Sequence, residues 1–297
     1  MHNLWELVSK PDNIPIVGLL FLVIGYTWWS FYRAFKNDKQ GYIDEARLNE
    51  KIQVWPNLVR VEFLAALLVM VILLFWSFLI DAPLEEAANP SLTPNPSKAP
   101  WYFLGLQEML VYFDPWIAGV IMPTLIIVGL MAIPYIDVNE KGNGYYTYKE
   151  RKFAIVTYCV GFLILWVALI VLGTFLRGPN WNFFGPFEFW DLHKLEALVN
   201  VNLSEYIWVR GLRTGLPSNW LVRESPGILL VLLYLFALPP LLAKSVFKGY
   251  FGKLGASRFY VTVFLFLTMM SLPAKMLLRW LFNLKYIVAI PEFFFNI

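Results

Sequence analysis

The chain has 297 residues, 59% of them hydrophobic, 18% aromatic and only 15% charged. Soluble domains carry about 25% charge, so this composition predicts an all-α, polytopic membrane protein, and a net charge of +3 does not mark a nucleic-acid partner. One cysteine, Cys159, excludes an intrachain disulfide, a thiolate cluster and a CxxCH haem attachment; two histidines, His2 and His193, are too few for a pair of bis-histidine haems, so no metal ligand set is expected.

In chain order, the opening residues carry no basic cluster and no small-residue cleavage site follows, so no cleaved signal peptide is expected. Ile14–Phe35 is an apolar run long enough to cross the roughly 30 Å hydrocarbon core, closed by Arg33 and Lys36. Asn37–Asn57 reads as a polar loop with a short surface helix. Leu58–Ile80 is a second span, stopped by Asp81 and Pro83, and Trp116–Ile136 a third. Asp114–Pro115 before it has the pattern of an N-cap followed by Pro at the first helical position. The glycines of GNGYYTYKERK, within 137–152, predict a turn before the fourth span, Phe153–Leu176. In the long polar stretch Arg177–Ser225, apolar Trp190, Leu192, Leu195, Leu198, Val199 and Val201 interleave with charges over Glu188–Trp208, predicting a surface amphipathic helix with His193 on its charged side. Pro226–Val246 is the fifth span, kinked at Pro239–Pro240. Arg258–Phe282 is the sixth, interrupted at Pro273, with Lys275 and Arg279 expected to snorkel to the interface.

Loops 36–60, 137–152 and 244–258 hold five, four and four Lys/Arg residues, whereas the stretch between the second and third spans holds Lys98 against Asp81, Glu85, Glu86, Glu108 and Asp114. The positive-inside rule therefore puts that stretch outside. Its Asn89–Glu108 segment, NPSLTPNPSKAPWYFLGLQE, opens with Pro90, Pro94, Pro96 and Pro100. Each proline withholds an N–H, so this part cannot be a helix and its unpaired carbonyls cannot lie in lipid. From Trp101 the pattern becomes helical, with Trp101, Leu104, Gly105 and Glu108 on one face. The segment reads as an ordered lid with one acid turned toward apolar surroundings, or as an interfacial loop with an aromatic anchor.

The succession of Leu58–Ile80, PLEEAANPSLTPNPSKAPWYFLGLQEML and the helix from Trp116 to PYID resembles the C-terminal half of cytochrome b, over about Val54–Gly178. In that family an Asn-Pro loop leads to a Pro-Glu-Trp-Tyr motif followed by Phe-Leu; here the residues are Ala99, Pro100, Trp101, Tyr102, Phe103 and Leu104. The resemblance is to subunit IV of the photosynthetic plastoquinol complex and to split bacterial chains. It divides the chain into an extra N-terminal span and loop (1–53), the cytochrome b-like part (54–178), and an outer loop with two further spans (179–297).

The resemblance implies a subunit of a quinol:cytochrome c, or similar acceptor, oxidoreductase. It sits in a bacterial cytoplasmic membrane, with its outer quinol-oxidation site lined by Pro100, Trp101, Tyr102 and Leu104. Quinol would pass one electron to a Rieske-type iron–sulfur protein and the other to b haems on the N-terminal half of cytochrome b, a separate chain, and release protons outside. All redox metals belong to partners, and a dimeric complex is implied. The variant motif points to menaquinol. The motif glutamate is absent, Pro100 standing in its place, and Glu108, flanked by Leu104, Leu106, Met109 and Leu110, is the candidate proton acceptor, its pKa raised by desolvation. Glu108 pointing to water or pairing with Lys98 is the structural alternative. A quinol-binding anchor of another respiratory enzyme and a transporter remain as alternative functions.

Overall fold

The computed structural model describes residues 2–41, 53–81, 87–138 and 147–297. The surface helix expected within 37–57 falls mostly, and the Gly142–Gly144 turn wholly, outside these residues. The chain divides into two compact units, one of Met1–Asn95, Glu140–Ile155 and Phe184–Phe189, the other of Pro96–Asn139, Val156–Phe183 and Trp190–Ile297.

In the first unit a short helix α1 (His2–Ser9), not foreseen from the sequence, precedes α2 (Ile14–Gln40); Asn13 joins them by donating from Nδ2 to the Leu7 carbonyl at 2.7 Å. At the far end of α2 the Asp38 carboxylate accepts from the backbone N–H groups of Tyr148 and Lys149 at 3.2 Å each, and Phe35 meets the Tyr148 ring edge-on. α3 (Val54–Leu79) buries no residue against this chain. A helix apolar all round is stable only where lipid or partner chains cover it.

The second unit holds the lid helix α4 (Trp101–Met109) and the spans α5 (Ile117–Ile136), the greater part of α6 (Lys152–Leu176), α7 (Trp220–Lys244) and α9 (Ala256–Phe282), with the short α8 (Lys248–Leu254) between the last two. Six helices are long and apolar enough to cross a membrane, and the only sheet among the described residues is one two-stranded pair near the C-terminus. The main core gathers Met109, Tyr112 and Phe113 after the lid, Ile117, Ala118 and Met122 of α5, Leu169 of α6, and Leu272 and Met276 of α9. A second cluster joins Ala243 of α7 to Phe259, Val263 and Leu267 of α9. In α7 the turn Leu233–Ala237 widens just before Pro239 and Pro240, where two N–H donors are missing, so the expected irregularity is present.

Three expectations are corrected. The amphipathic helix over Glu188–Trp208 is absent up to Asn202, and only its last turns exist, in a widened turn Glu205–Gly211 that follows Leu203. The backbone around Val201 pairs with the C-terminal tail instead, through Val201 N to Asn283 O (3.2 Å), Lys285 N to Val201 O (2.8 Å) and Leu203 N to Tyr286 O (2.9 Å). Second, α9 runs unbroken through Pro273, because a single missing donor is tolerated in a long membrane helix. Third, Lys275 does not snorkel to water: it is 2% exposed, and its Nζ donates to the Lys285 carbonyl at 2.8 Å.

Beyond α9 the chain folds back as a small cap. β1 (Ala289–Ile290) pairs antiparallel with β2 (Phe295–Asn296). Tyr286 donates to Asp114 at 2.9 Å, Trp116 donates to the Asn296 carbonyl at 3.0 Å, and the buried Glu224 accepts from Ala289 N at 3.0 Å. Helix begins at Pro115 as the sequence predicts, but the Asp114 carboxylate binds this tail rather than capping the helix.

Candidate functional site

The lid helix begins where the prolines end. Pro100 is extended (φ −52°, ψ 148°), and Trp101 opens a nine-residue helix. Gln107 folds back across the join, accepting from Ala99 N at 2.7 Å and donating to the Ser97 carbonyl at 2.9 Å. Lys98 reaches the last turn of α6, its Nζ donating to the Thr174 carbonyl at 2.8 Å and lying 4.6 Å from the centre of the Trp190 ring. Lys98 is therefore engaged on α6 and does not pair with Glu108.

The helix buries Leu104, Gly105 and Glu108 of the face that periodicity predicts, together with Met109, while Trp101 at its start is only partly buried. Glycine permits two close approaches here. A Cβ on Gly105 would sit 3.3 Å from the Trp166 ring of α6, and one on Gly173 would sit 2.9 Å from Leu104 Cγ. Tyr102 and Phe103 lie on the opposite side, just over half exposed, and their rings are 4.8 Å apart. Trp101 meets Tyr102 edge-on at 5.7 Å. Of the residues singled out from sequence, Leu104 and Glu108 thus share the buried face, while Tyr102 belongs to an exposed aromatic edge that the structure keeps apart from the acid.

Glu108 is fully buried and fully bonded. Arg177 grips it through two nitrogens, Nη2 to Oε1 at 2.8 Å and Nε to Oε2 at 3.0 Å. The indole of Trp181 donates to Oε2 at 3.2 Å, and the Tyr112 hydroxyl to Oε1 at 3.2 Å. A carboxylate accepts about four hydrogen bonds, so this one has its full set. Burial and then the Glu108 charge push the Tyr112 phenol well above its usual range, which keeps it protonated as a donor. Burial opposes the charge on Arg177, but the hydrogen bond and charge of Glu108 outweigh it and hold the guanidinium above its ordinary value.

The turn RGPNW after α6 is shaped for this contact. Asn180 and Trp181 adopt φ of 57° and 58°, and left-handed backbone is uncommon for a bulky residue. Arg177 Nη1 donates to the Trp181 carbonyl at 3.1 Å, so one arginine fixes both the turn and the acid. Sequence reasoning missed Arg177, Trp181 and Gln107. The aromatic turn was visible in sequence, but nothing local pairs residue 177 with residue 108, which lies 69 positions earlier.

Residues 87–185, about a third of the chain, match the family described as cytochrome b (C-terminal)/b6/petD. The match takes in the lid, α4, α5, α6 and the Arg177–Trp181 turn, and over this segment the chain is similar to that family. No solved structure matches the chain.

Proposed function

We propose that this chain, whose residues 87–185 match the C-terminal cytochrome b family, forms the lid and one wall of a quinol-oxidation site in a cytochrome bc-type complex. The observation that carries the reading is the lid helix itself. Lys98 fastens it to α6 and the Glu108–Arg177 pair to the turn after α6, Gln107 closes the join between the prolines and the helix, and Tyr102 and Phe103 are turned outward as an aromatic edge. Such an edge is suited to a flat aromatic ligand, with Pro100 beside it, Leu104 supporting the helix from its buried face, and the Tyr102 hydroxyl available as a hydrogen-bond partner for a quinol oxygen.

The described residues hold no group of three or more His, Cys, Asp or Glu side chains suited to a metal. The haem-bearing N-terminal half of cytochrome b would take one electron from quinol and a Rieske-type protein the other. This chain supplies shape, exclusion of water and proton handling. The quinol is menaquinol in this reading, the lid faces the outside of a bacterial cytoplasmic membrane, and a cytochrome c or similar carrier is the acceptor.

Glu108 is the proposed proton acceptor. Arg177 holds both of its oxygens, so a proton could reach them only where that contact opened. Because Glu108 lies on the face of α4 opposite Tyr102, the quinol proton would reach it through an intervening carrier rather than directly. The reading is tested by purifying the complex from its native membrane, recording its optical spectrum and assaying quinol oxidation. A b-haem spectrum with quinol-dependent reduction of a c-type acceptor is the expected result; copurification with neither haem nor an iron–sulfur protein would overturn it.

A further inference from the structure

The connection between α7 and α9 gathers positive charge at the end of α9 away from the tail. Lys244 closes α7, Lys248 and Lys253 lie on α8, and Arg258 stands in the first turn of α9; all four are exposed. No Asp or Glu occurs in the sequence between Glu224 and Glu292, and both of those acids bind Arg223. Among the described residues no ion pair joins any of the four cations to a carboxylate. The connection is a packed platform. The side of α8 that carries Phe251 and Leu254, with Phe247 just before it, packs on the cluster of Ala243, Phe259, Val263 and Leu267. Phe251 meets Phe259 edge-on at 5.1 Å, and Phe247 meets Phe266 at 5.8 Å. At about 100° per residue the opposite side of α8 carries Lys248, Gly249, Gly252 and Lys253, so both lysines face away from this core. Gly255, at φ 73°, turns the chain directly from α8 into α9.

The kind of partner follows from where the cations lie on the spans. Lys244 is the last residue of one span and Arg258 the third of the next. Leu241 lies one turn inside Lys244, and Val261 one turn inside Arg258, each on the same helix face as its cation. Both are exposed, at 61% and 45%. Passing inward from the span ends, cations thus give way to exposed apolar side chains. This order matches an amphiphile with an anionic head, whereas a soluble anion would use the cations alone. A basic cluster of this size beside a membrane span attracts the anionic lipids of a leaflet.

We propose that Lys244, Lys248, Lys253 and Arg258 form a docking surface for the headgroups of anionic phospholipid, whose acyl chains lie along α7 and α9 against Leu241 and Val261. The surface lies outside residues 87–185 and does not depend on the quinol reading. The full-length protein, purified with its partners and depleted of lipid in detergent, would be titrated with dioleoylphosphatidylglycerol, with dioleoylphosphatidylcholine and with inorganic phosphate. Its thermal midpoint and the lipid retained in native mass spectra would be followed. The glycerol lipid should raise the midpoint saturably and stay bound, while the choline lipid and free phosphate do neither. Lys248→Gln/Lys253→Gln should weaken half-saturation by the glycerol lipid about 25-fold, about fivefold for each basic residue lost at an anionic surface. If the double variant fails to assemble, Lys253→Gln alone should still weaken it about fivefold. Lys36→Gln/Lys39→Gln removes as many charges from the exposed end of α2 and should leave half-saturation nearly unchanged. Equal responses to both lipids, an unchanged half-saturation in the α8 variants, an equal weakening in the α2 variant, or a full response to phosphate alone would each overturn the proposal.

Discussion

At the scale of single residues, the structure changes how Glu108 must be tested. Arg177 keeps only 14% of its side chain exposed, and replacing its partner by Gln strands a buried guanidinium. Breaking such a pair from one side costs about 3–5 kcal/mol, so Glu108→Gln alone is expected to lower the thermal midpoint whether or not the acid handles protons. The double variant Glu108→Gln/Arg177→Gln removes both charges and is expected to recover most of that stability. If Glu108 accepts the quinol proton, the recovered enzyme still oxidises quinol slowly and its pH–rate profile loses one ionisation; wild-type rate and profile in the double variant would make the pair purely structural. Tyr102 poses the opposite case. Being half exposed, Tyr102→Phe should leave assembly and midpoint unchanged. Losing one hydrogen bond to the substrate, worth about 1 kcal/mol, should slow quinol oxidation roughly fivefold, as steady-state rates at limiting quinol would show. An unchanged rate with normal coupling would assign the ring to the interfacial aromatic belt.

At the scale of elements, the lid and the C-terminal tail are held by different devices. The lid relies on side chains that bond backbone, Gln107 and Lys98, and on the Glu108–Arg177 pair. The tail relies on backbone contact. Gly227 of α7 lies so close to the Ile287 carbonyl that an added Cβ would overlap it. Nearby, Arg223 bridges Glu224 and Glu292 at 3.1 and 2.9 Å. Gly227→Ala must therefore displace the tail or shift α7, a cost of about 1–3 kcal/mol for overpacking. The expected outcome is a lower thermal midpoint and faster proteolysis within residues 283–297. Unchanged proteolysis would mean that α7, rather than the tail, absorbs the added methyl group.

At the scale of the whole molecule, the chain is a set of membrane helices, and the proposed redox chemistry would depend on partner chains. His193 sits in an exposed Asx-type turn, its N–H on Asp191 Oδ1 at 2.9 Å, and the only other histidine is residue 2. Two histidines are too few for a pair of bis-histidine haems, so the pure single chain is expected to show no b-haem absorbance, whereas the intact complex should. Stoichiometric haem in the isolated chain would contradict the assignment of all haems to a partner. α3 suits the same view, because an apolar helix with no buried residue among the described ones is available to lipid and partners alike.

What the sequence by itself determined was everything governed by local periodicity and composition. The six apolar runs, the proline-broken approach to the lid, the helical face of Leu104, Gly105 and Glu108, and the start of helix at Pro115 all follow from spacing along a few turns. The family resemblance was legible for the same reason, since its residues are contiguous. What only the tertiary structure decided depended on residues far apart in the chain. Glu108 met Arg177 rather than Lys98 because the turn after α6 brings Arg177 and Trp181 onto the lid's buried face. Residues 188–202 gave up a helix that their pattern allowed because the backbone near Val201 found hydrogen bonds in the C-terminal tail. Lys275 stayed buried because a carbonyl ten residues later was within reach of its ammonium. In each case a polar group took the partner that folding brought near, and periodicity along one segment carries no record of such a partner.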